Sequence, residues 1–332
     1  MITEQSNIIE PKTSEIIIES SFGKKIKKST RIKEKLIKYF FAVNGVMALV
    51  FIILIFIFLF KEGFNALEHI GLLDFIYLDQ VQADGSVQRV YEWYPTSAEA
   101  RYSLIPLILG TLLTSIPATI ISTIFGVAAG IYLSEVTNPK LKEFLKPMIE
   151  LFAGIPTVVL GFIMLVIGAS FFNDLLNPEN RLNAFIASLG LSFVIIPIIA
   201  SLTEDALHSI PNDLRMASYG LGATKWQTIR HVILPAAFSG VSASIILGFG
   251  RAIGETMIVL MASGNAANIT TNIFSSIRTM TATIAAEMGE VSQGSDHYYA
   301  LFFIGIVLFT ITFFLNLIAE IIINKMRKKN TF

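Results

Sequence analysis

The sequence predicts an all-α integral membrane protein with six transmembrane helices and both termini in the cytoplasm. Three observations lead there. Hydrophobic residues make up 53% of the chain and charged residues only 15%, with a mean hydropathy of +0.65. A soluble domain needs more charge at its surface than this. The apolar residues gather in six runs, each near the ~20 residues that cross a hydrocarbon core as a helix. Lysine and arginine crowd the segments on one side of those runs, although the net charge is zero.

The chain opens with a polar tail, 1–38, rich in lysine. Within it Ser29 is a candidate N-cap for a short interfacial helix, with Ile32, Leu36 and Ile37 on one face. The first span is Tyr39–Phe60. Its apolar run is too long for a cleaved leader and no small-residue cleavage site follows, so it reads as a signal anchor. An outer loop, 61–103, comes next. Its stretch VQADGSVQRVYEWYP reads as a hairpin turning at Ala83-Asp84-Gly85-Ser86. A core, 104–325, holds five further spans: Leu104–Leu133, Leu145–Phe172, Asn183–Leu202, Ala236–Met261 and Tyr299–Ile323. A short tail, 326–332, ends the chain. Pro106, Pro117, Pro156 and Pro197 fall inside these runs and predict bent helices in a bundle with an interior.

Orientation follows from the basic residues, which mark the cytoplasmic side. The segments 1–38, 134–144, 203–235 and 324–332 hold most of them, including Lys140, Lys142, Arg215, Lys225, Arg230 and Lys325. The outer segments hold only Lys61, Arg89, Arg101, Arg181 and Arg278. There are no cysteines, which excludes disulfides and thiolate metal sites. His69, His208, His231 and His297 are far apart and none has metal-ligand spacing.

The inner segment SIPNDLRMASYGLGATKWQTIRHVILP, Ser209–Pro235, is the most organised part outside the membrane. Pro211, Asn212 and Asp213 signal a helix start, Gly220 and Gly222 a corner, and a second helix follows from Thr224 until Pro235 opens the fifth span. Leu214, Leu221, Trp226, Ile229 and Ile233 give it more apolar surface than a free loop exposes. That surface either packs on the protein's own inner face or sits in a partner's groove.

This segment resembles the EAA loop of ABC importer permeases. Met216-Ala217-Ser218 stand at E-A-A, then Gly222, Ala223 and Thr224, then Val232 and Leu234-Pro235, at the family spacing. Met216 departs from the family's glutamate. The resemblance implies a type I ABC importer permease fold and a loop that inserts into a separate ATP-hydrolysing subunit. The chain itself has no G-x-x-x-x-G-K-[ST]. The resemblance therefore implies a subunit that is not an enzyme and holds no cofactor, with ATP and Mg bound by the partner.

GRAIGETM (Gly250–Met257), GIPTVVLGF (Gly154–Phe162), RTMTATIAAEMGE (Arg278–Glu290) and Leu107–Glu135 together resemble the phosphate-specific permeases of the PstC type. That likeness implies translocation of inorganic phosphate across a prokaryotic cytoplasmic membrane. It also implies a second homologous permease (PstA type), two copies of an ATPase (PstB type) and an external phosphate-binding protein (PstS type). Lipid surrounds such a subunit, and no nucleic acid is involved.

Arg251 and Glu255 stand four residues apart in the fifth run, a spacing that places them on one helical face. Arginine at membrane depth costs at least ~2.5 kcal/mol on insertion scales and usually faces an interior or a watery path. In one reading the two side chains neutralise each other and pin the helix. In the other Arg251 contacts phosphate in the path, by the bidentate geometry guanidinium offers an oxyanion, and Glu255 keeps that contact weak. Glu150 and Glu320 lie near span ends and carry no transport role. Two rival readings are a permease for another oxyanion, sulfate or molybdate, and a secondary transporter, which would need an inverted repeat or several coupled intramembrane charges.

Overall fold

A computed structural model describes residues 28–81 and 87–329. The tail 1–27 and the expected turn Ala83–Ser86 lie outside the described residues. Packing divides the chain into two units, Met1–Phe56 and Ile57–Phe332.

Helix α1, Lys28–His69, runs through the first apolar stretch without a break. Ser29 and Ile32 therefore lie within one continuous helix, and the separate interfacial helix expected ahead of the span does not occur. No proline interrupts the helix to end it early. In the first unit the apolar side chains from Leu36 to Ile55 stand exposed, as a lipid-facing surface would.

Beyond α1 the outer loop forms the expected hairpin. Strand β1, Leu78–Val81, pairs antiparallel with β2, Val87–Val90, in the register Leu78↔Val90. A second small pairing joins β3, Trp93–Tyr94, to β4, Arg101–Tyr102. Trp93 is fully buried beside Phe75, Leu104 and Leu301, so the loop is seated on the bundle.

The bundle starts with α2, Ile105–Ile131, which ends in a π-helical turn, Tyr132–Val136. Pro106 occupies the first turn, where its missing N–H costs nothing, so it bends no helix. Next comes α3, Pro139–Ala153, started by Asn138, whose side chain accepts from the Leu141 N–H at 2.8 Å. The third span differs from expectation. Pro156 does not bend a helix running from Leu145; it stands between two. Pro156 has no N–H and keeps Ile155 out of the helical region, so α3 stops and α4, Thr157–Ile163, begins anew. Helix α4, a π-helical turn at Met164–Gly168 and α5, Ala169–Leu176, make the span, 157–176. Helix α3 is amphipathic, with Phe144 and Leu151 exposed and Lys142 and Lys146 turned to the bundle.

Helix α6, Ala184–His208, is the most buried span. It is followed by α7, Asn212–Gly220, α8, Lys225–Thr228, a π-helical turn at Ile229–Ile233 and α9, Leu234–Ala236. Helix α10, Phe238–Gly254, leaves the preceding segment at 72°. Pro235 thus sits before the bend and does not open the span. The chain ends with α11, Met257–Ala262, α12, Met280–Glu287, and α13, Asp296–Lys329. Five helical segments among the described residues are long and apolar enough to cross a membrane, and the bent pair at α10 brings the number to six.

Helices α2 and α6 hold the centre. A methyl added at Gly130 would lie 2.7 Å from the Thr203 Cβ and 2.8 Å from the Ala200 carbonyl; one at Gly126 would lie 2.8 Å from the Ile199 Cβ. Small residues let helix backbones approach where lipid removes the hydrophobic drive. Ser122 Oγ donates across the contact to the Ser192 carbonyl (3.2 Å) and Ser188 Oγ to that of Thr114 (3.0 Å). Helix α10 closes on α6 through Gly248, where an added methyl would lie 2.9 Å from Ile195 and Ile199.

Overpacking such a contact costs about 1–3 kcal/mol. Gly130→Val is expected to lower the thermal midpoint of the detergent-solubilised protein. Gly289→Ala, where nothing lies within 4 Å, leaves it unchanged. A thermal melt of both variants checks this.

Candidate functional site

The corner loop is built as its sequence suggests. Helix α7 starts after Pro211 and carries Asp213 in its first turn, where the helix dipole favours an acid. Gly222 takes φ +83°, the left-handed conformation glycine alone adopts freely, and turns the chain back. Thr224 then caps α8 with a full capping box: its Oγ1 accepts from the Gln227 N–H, and the Gln227 Oε1 accepts from the Thr224 N–H (2.8 Å). Inside the corner, the Ser218 and Thr228 hydroxyls share a hydrogen bond of 2.8 Å and the Ala223 N–H donates to the Ser218 carbonyl.

The apolar residues of this loop divide. Ile229 and Ile233 are buried, and Val232 and Leu234 pack with Leu207, Ile233 and Ala237. Met216 (65% exposed), Leu221 (90%) and Trp226 (62%) point away. Ala217 and Pro235 are also exposed. The loop therefore packs on its own bundle with one set and presents another outward.

Charges tie this end together. Glu204, only 1% exposed, takes Lys142 and Lys146, each at 2.5 Å, and Lys146 also reaches Asp205 at 2.8 Å. Burial alone would lower the Lys146 pKa, but its hydrogen bonds to Asp205 and Glu204 outweigh that and raise it. Arg215 meets Glu135 at 2.6 Å.

Arg251 and Glu255 are not on one helical face. Helix α10 ends at Gly254, and Glu255 is extended at φ −70°, ψ 134°. A glycine followed by the start of α11 breaks the i, i+4 relation that the spacing implied. Glu255 instead accepts from the Met257 N–H at 3.2 Å, and its carbonyl accepts from Thr281 Oγ1 at 2.8 Å. The mutual neutralisation of the pair is thus absent from this structure. No hydrogen bond or ion pair joins Arg251 to another described residue. Its side chain opens into a groove of about 540 Å³ between α10 and α13, lined by Gly250, Gly254, Thr312 and Asn316 among apolar residues.

Sequence reasoning missed a cluster at the opposite end. Glu287, at the end of α12, accepts from Trp93 Nε1 (3.0 Å) and Arg278 Nη1 (2.6 Å) and lies 2.8 Å from His297 Nε2. These residues come from the outer loop, the segment before α12 and the start of α13, so no spacing could bring them together. The hint was an arginine, a glutamate and a histidine within twenty residues of chain. Burial on its own would raise the Glu287 pKa, but the bonds from His297 and Trp93 and the Arg278 charge hold it below its ordinary value.

A bundle of five or six apolar helices with a broken fifth span and an exposed, capped corner loop defines a membrane permease. The chain belongs to the family of binding-protein-dependent transport system inner membrane components, whose profile matches residues 123–328. It is a multi-pass membrane protein of that family. It is 36% identical over 221 residues to the probable ABC transporter permease protein YqgH of Bacillus subtilis, which covers 67% of this chain and 72% of the relative. It is 32% identical to the phosphate transport system permease protein PstC of Mesorhizobium japonicum (69% of this chain, 75% of the relative) and to that of Haemophilus influenzae (71% and 81%). The fold is shared with the inward-facing MetNI methionine ABC transporter, at TM-score 0.55 and 19% identity over 67% of this chain and 95% of that one. It is shared too with a bacterial ABC transporter that imports the acidic polysaccharide alginate, at TM-score 0.54 and 14% identity over 87% and 98%.

A carboxylate with a lowered folded pKa contributes stability that is present above its unfolded pKa and is lost as pH falls through the folded value. For Glu287 that loss falls below the ordinary 4.5. In a Trp226→Phe background the Trp93 fluorescence should show a step on acidification below the ordinary carboxylate range. Glu287→Gln should remove that step. A fluorescence titration checks both.

Proposed function

We propose that this chain is the transmembrane permease subunit of an ATP-driven importer and that it translocates inorganic phosphate inward. The relatives named as phosphate permeases over about 70% of the chain support the substrate. The observation that carries the path is Arg251, a guanidinium in the broken fifth span with no hydrogen bond or ion pair to another described residue. Such a cation is costly unless it meets water or an anion. An anion that must leave again is served better by one fork-shaped contact than by an enclosed cage. Glu255 acts here by holding the break between α10 and α11 open, through its contacts to Met257 and Thr281, and its charge stays near enough to the path to keep binding weak.

The corner loop faces the cytoplasm, as do both termini, and meets the ATPase. Met216, Ala217, Gly222, Ala223, Thr224 and Pro235 lie on or shape its outward surface. Ser218 ties the corner together from inside through Thr228, and Val232 and Leu234 hold the loop to the bundle. Where the family has a glutamate, Met216 makes an apolar contact in place of an ionic one. ATP and Mg belong to two copies of the partner ATPase, and this chain performs no bond chemistry. A second homologous permease completes the path, and an external phosphate-binding protein delivers the ion at the hairpin end.

A charge-assisted contact of about 1.5–3 kcal/mol corresponds to roughly 10–100-fold. Labelled-phosphate uptake by cells carrying this chain with its cognate partners is expected to fall by that factor in Arg251→Gln, with the complex still assembled. Sulfate, measured in parallel, is expected not to enter. Uptake unchanged in the variant removes Arg251 from the path, and sulfate uptake overturns the substrate.

A further inference from the structure

The corner loop is held to the bundle differently at its two ends. At the α7 end the ties are polar and directional. Arg215 directs Nε to Glu135 Oε2 (3.2 Å) and Nη2 to Glu135 Oε1 (2.6 Å). The same guanidinium donates from Nη1 to the Ile210 carbonyl (2.7 Å) and from Nη2 to the Leu207 carbonyl (2.9 Å). Ser134 Oγ adds a donor to the Glu135 carboxylate at 3.1 Å. One side chain thus joins the end of α2, the last turn of α6 and the first turns of α7. The pair is nearly enclosed, with the carboxylate 6% and the guanidinium 14% exposed.

At the α9 end the ties of the loop itself are apolar, and a hydroxyl pair, Thr203 and Ser244 at 3.0 Å, joins α6 to α10 beyond it. Leu207, Ile233 and Ala237 form a small buried cluster with Ile131, Val232 and Val241 around it. The chain then turns by 72° into α10. Fork-shaped hydrogen bonds fix an angle and a register, whereas apolar packing tolerates small sliding movements.

We propose that Arg215 and Glu135 form the fixed pivot of the corner loop, so that a push on its exposed face turns the α9–α10 elbow and tilts the helix that carries Arg251. The inference rests on the reading of this chain as a permease driven through that loop. Arg215 is a positioning residue here: it meets neither the ion nor ATP, and it stands beside Met216, whose side chain is outward. The buried Glu204 with Lys142 and Lys146 fixes α3 to α6 in the same block, which leaves the elbow as the joint with no charged tie among the described residues.

The test uses the complete importer, with its partner permease, ATPase and binding protein, in liposomes, and reads phosphate carried per ATP hydrolysed. For contacting residues in one network, Glu135→Gln is expected to lower that ratio about tenfold while the ATPase stays bound. Arg215→Lys, which keeps the charge and loses the fork, is expected to lower it several-fold and guards against a first variant that does not assemble. A merely structural pair would reduce uptake and hydrolysis in proportion, with the ratio intact, and that result in either assembled variant overturns the pivot. Phosphate uptake by the intact complex with unchanged ratios in the variants overturns the pivot alone. No phosphate uptake by the intact complex overturns the functional reading and the pivot with it.

Discussion

The close approach of α2 and α6 is the constraint on which the rest of the bundle depends. Lipid gives apolar side chains no reason to leave it, so helices associate through packing and hydrogen bonds. Gly126 and Gly130 remove the bulk that would hold these two backbones apart, and Ser122 and Ser188 bond across the seam. Helix α10 then packs on α6 at Gly248, against Ile195 and Ile199, and its Ala252 shares a buried cluster with Ala118 of α2. The corner loop hangs from the end of α6 and returns through α10, so its position is set by that seam as much as by its own turns.

Three largely buried glutamates follow one rule, and Arg251 departs from it. Glu135, Glu204 and Glu287 are all close to helix ends, and each has a cation within hydrogen-bond reach. A buried charge that loses its partner costs several kcal/mol, so these paired groups act as fasteners near the helix ends. Arg251 is the exception. It sits where α10 gives way to extended chain, and irregular backbone at membrane depth is tolerated where it lines a cavity or is buried in protein.

Much of the architecture was legible in the sequence because lipid simplifies the code. The spans, the hairpin at β1–β2 and the helix–corner–helix of the loop follow from apolar run length, a glycine turn and capping residues. What hydropathy could not read was where an apolar run stops being one helix. The run from Leu145 through Phe172 looks continuous, yet Pro156 divides it into an amphipathic helix and a shorter span. The run holding Arg251 and Glu255 likewise breaks at Gly254, and a spacing rule valid inside a helix fails across its end. The Glu287 cluster was hidden for a different reason: Trp93 and Glu287 are 194 residues apart and meet through the fold alone. The pairing of Arg215 with Glu135 spans 80 residues and was hidden in the same way.

The Glu204 clamp has a consequence for how the protein is made. Its cations precede its anion along the chain: Lys142 and Lys146 belong to α3, and Glu204 follows Lys146 by 58 residues. Chains emerge N-terminus first. The two lysines can therefore wait at the aqueous surface, on a helix whose other side carries Phe144 and Leu151, until α6 arrives. The glutamate enters an already cationic surrounding and never has to be buried alone. Order of synthesis and order of charge agree, and insertion of α6 becomes the step that locks α3 in place.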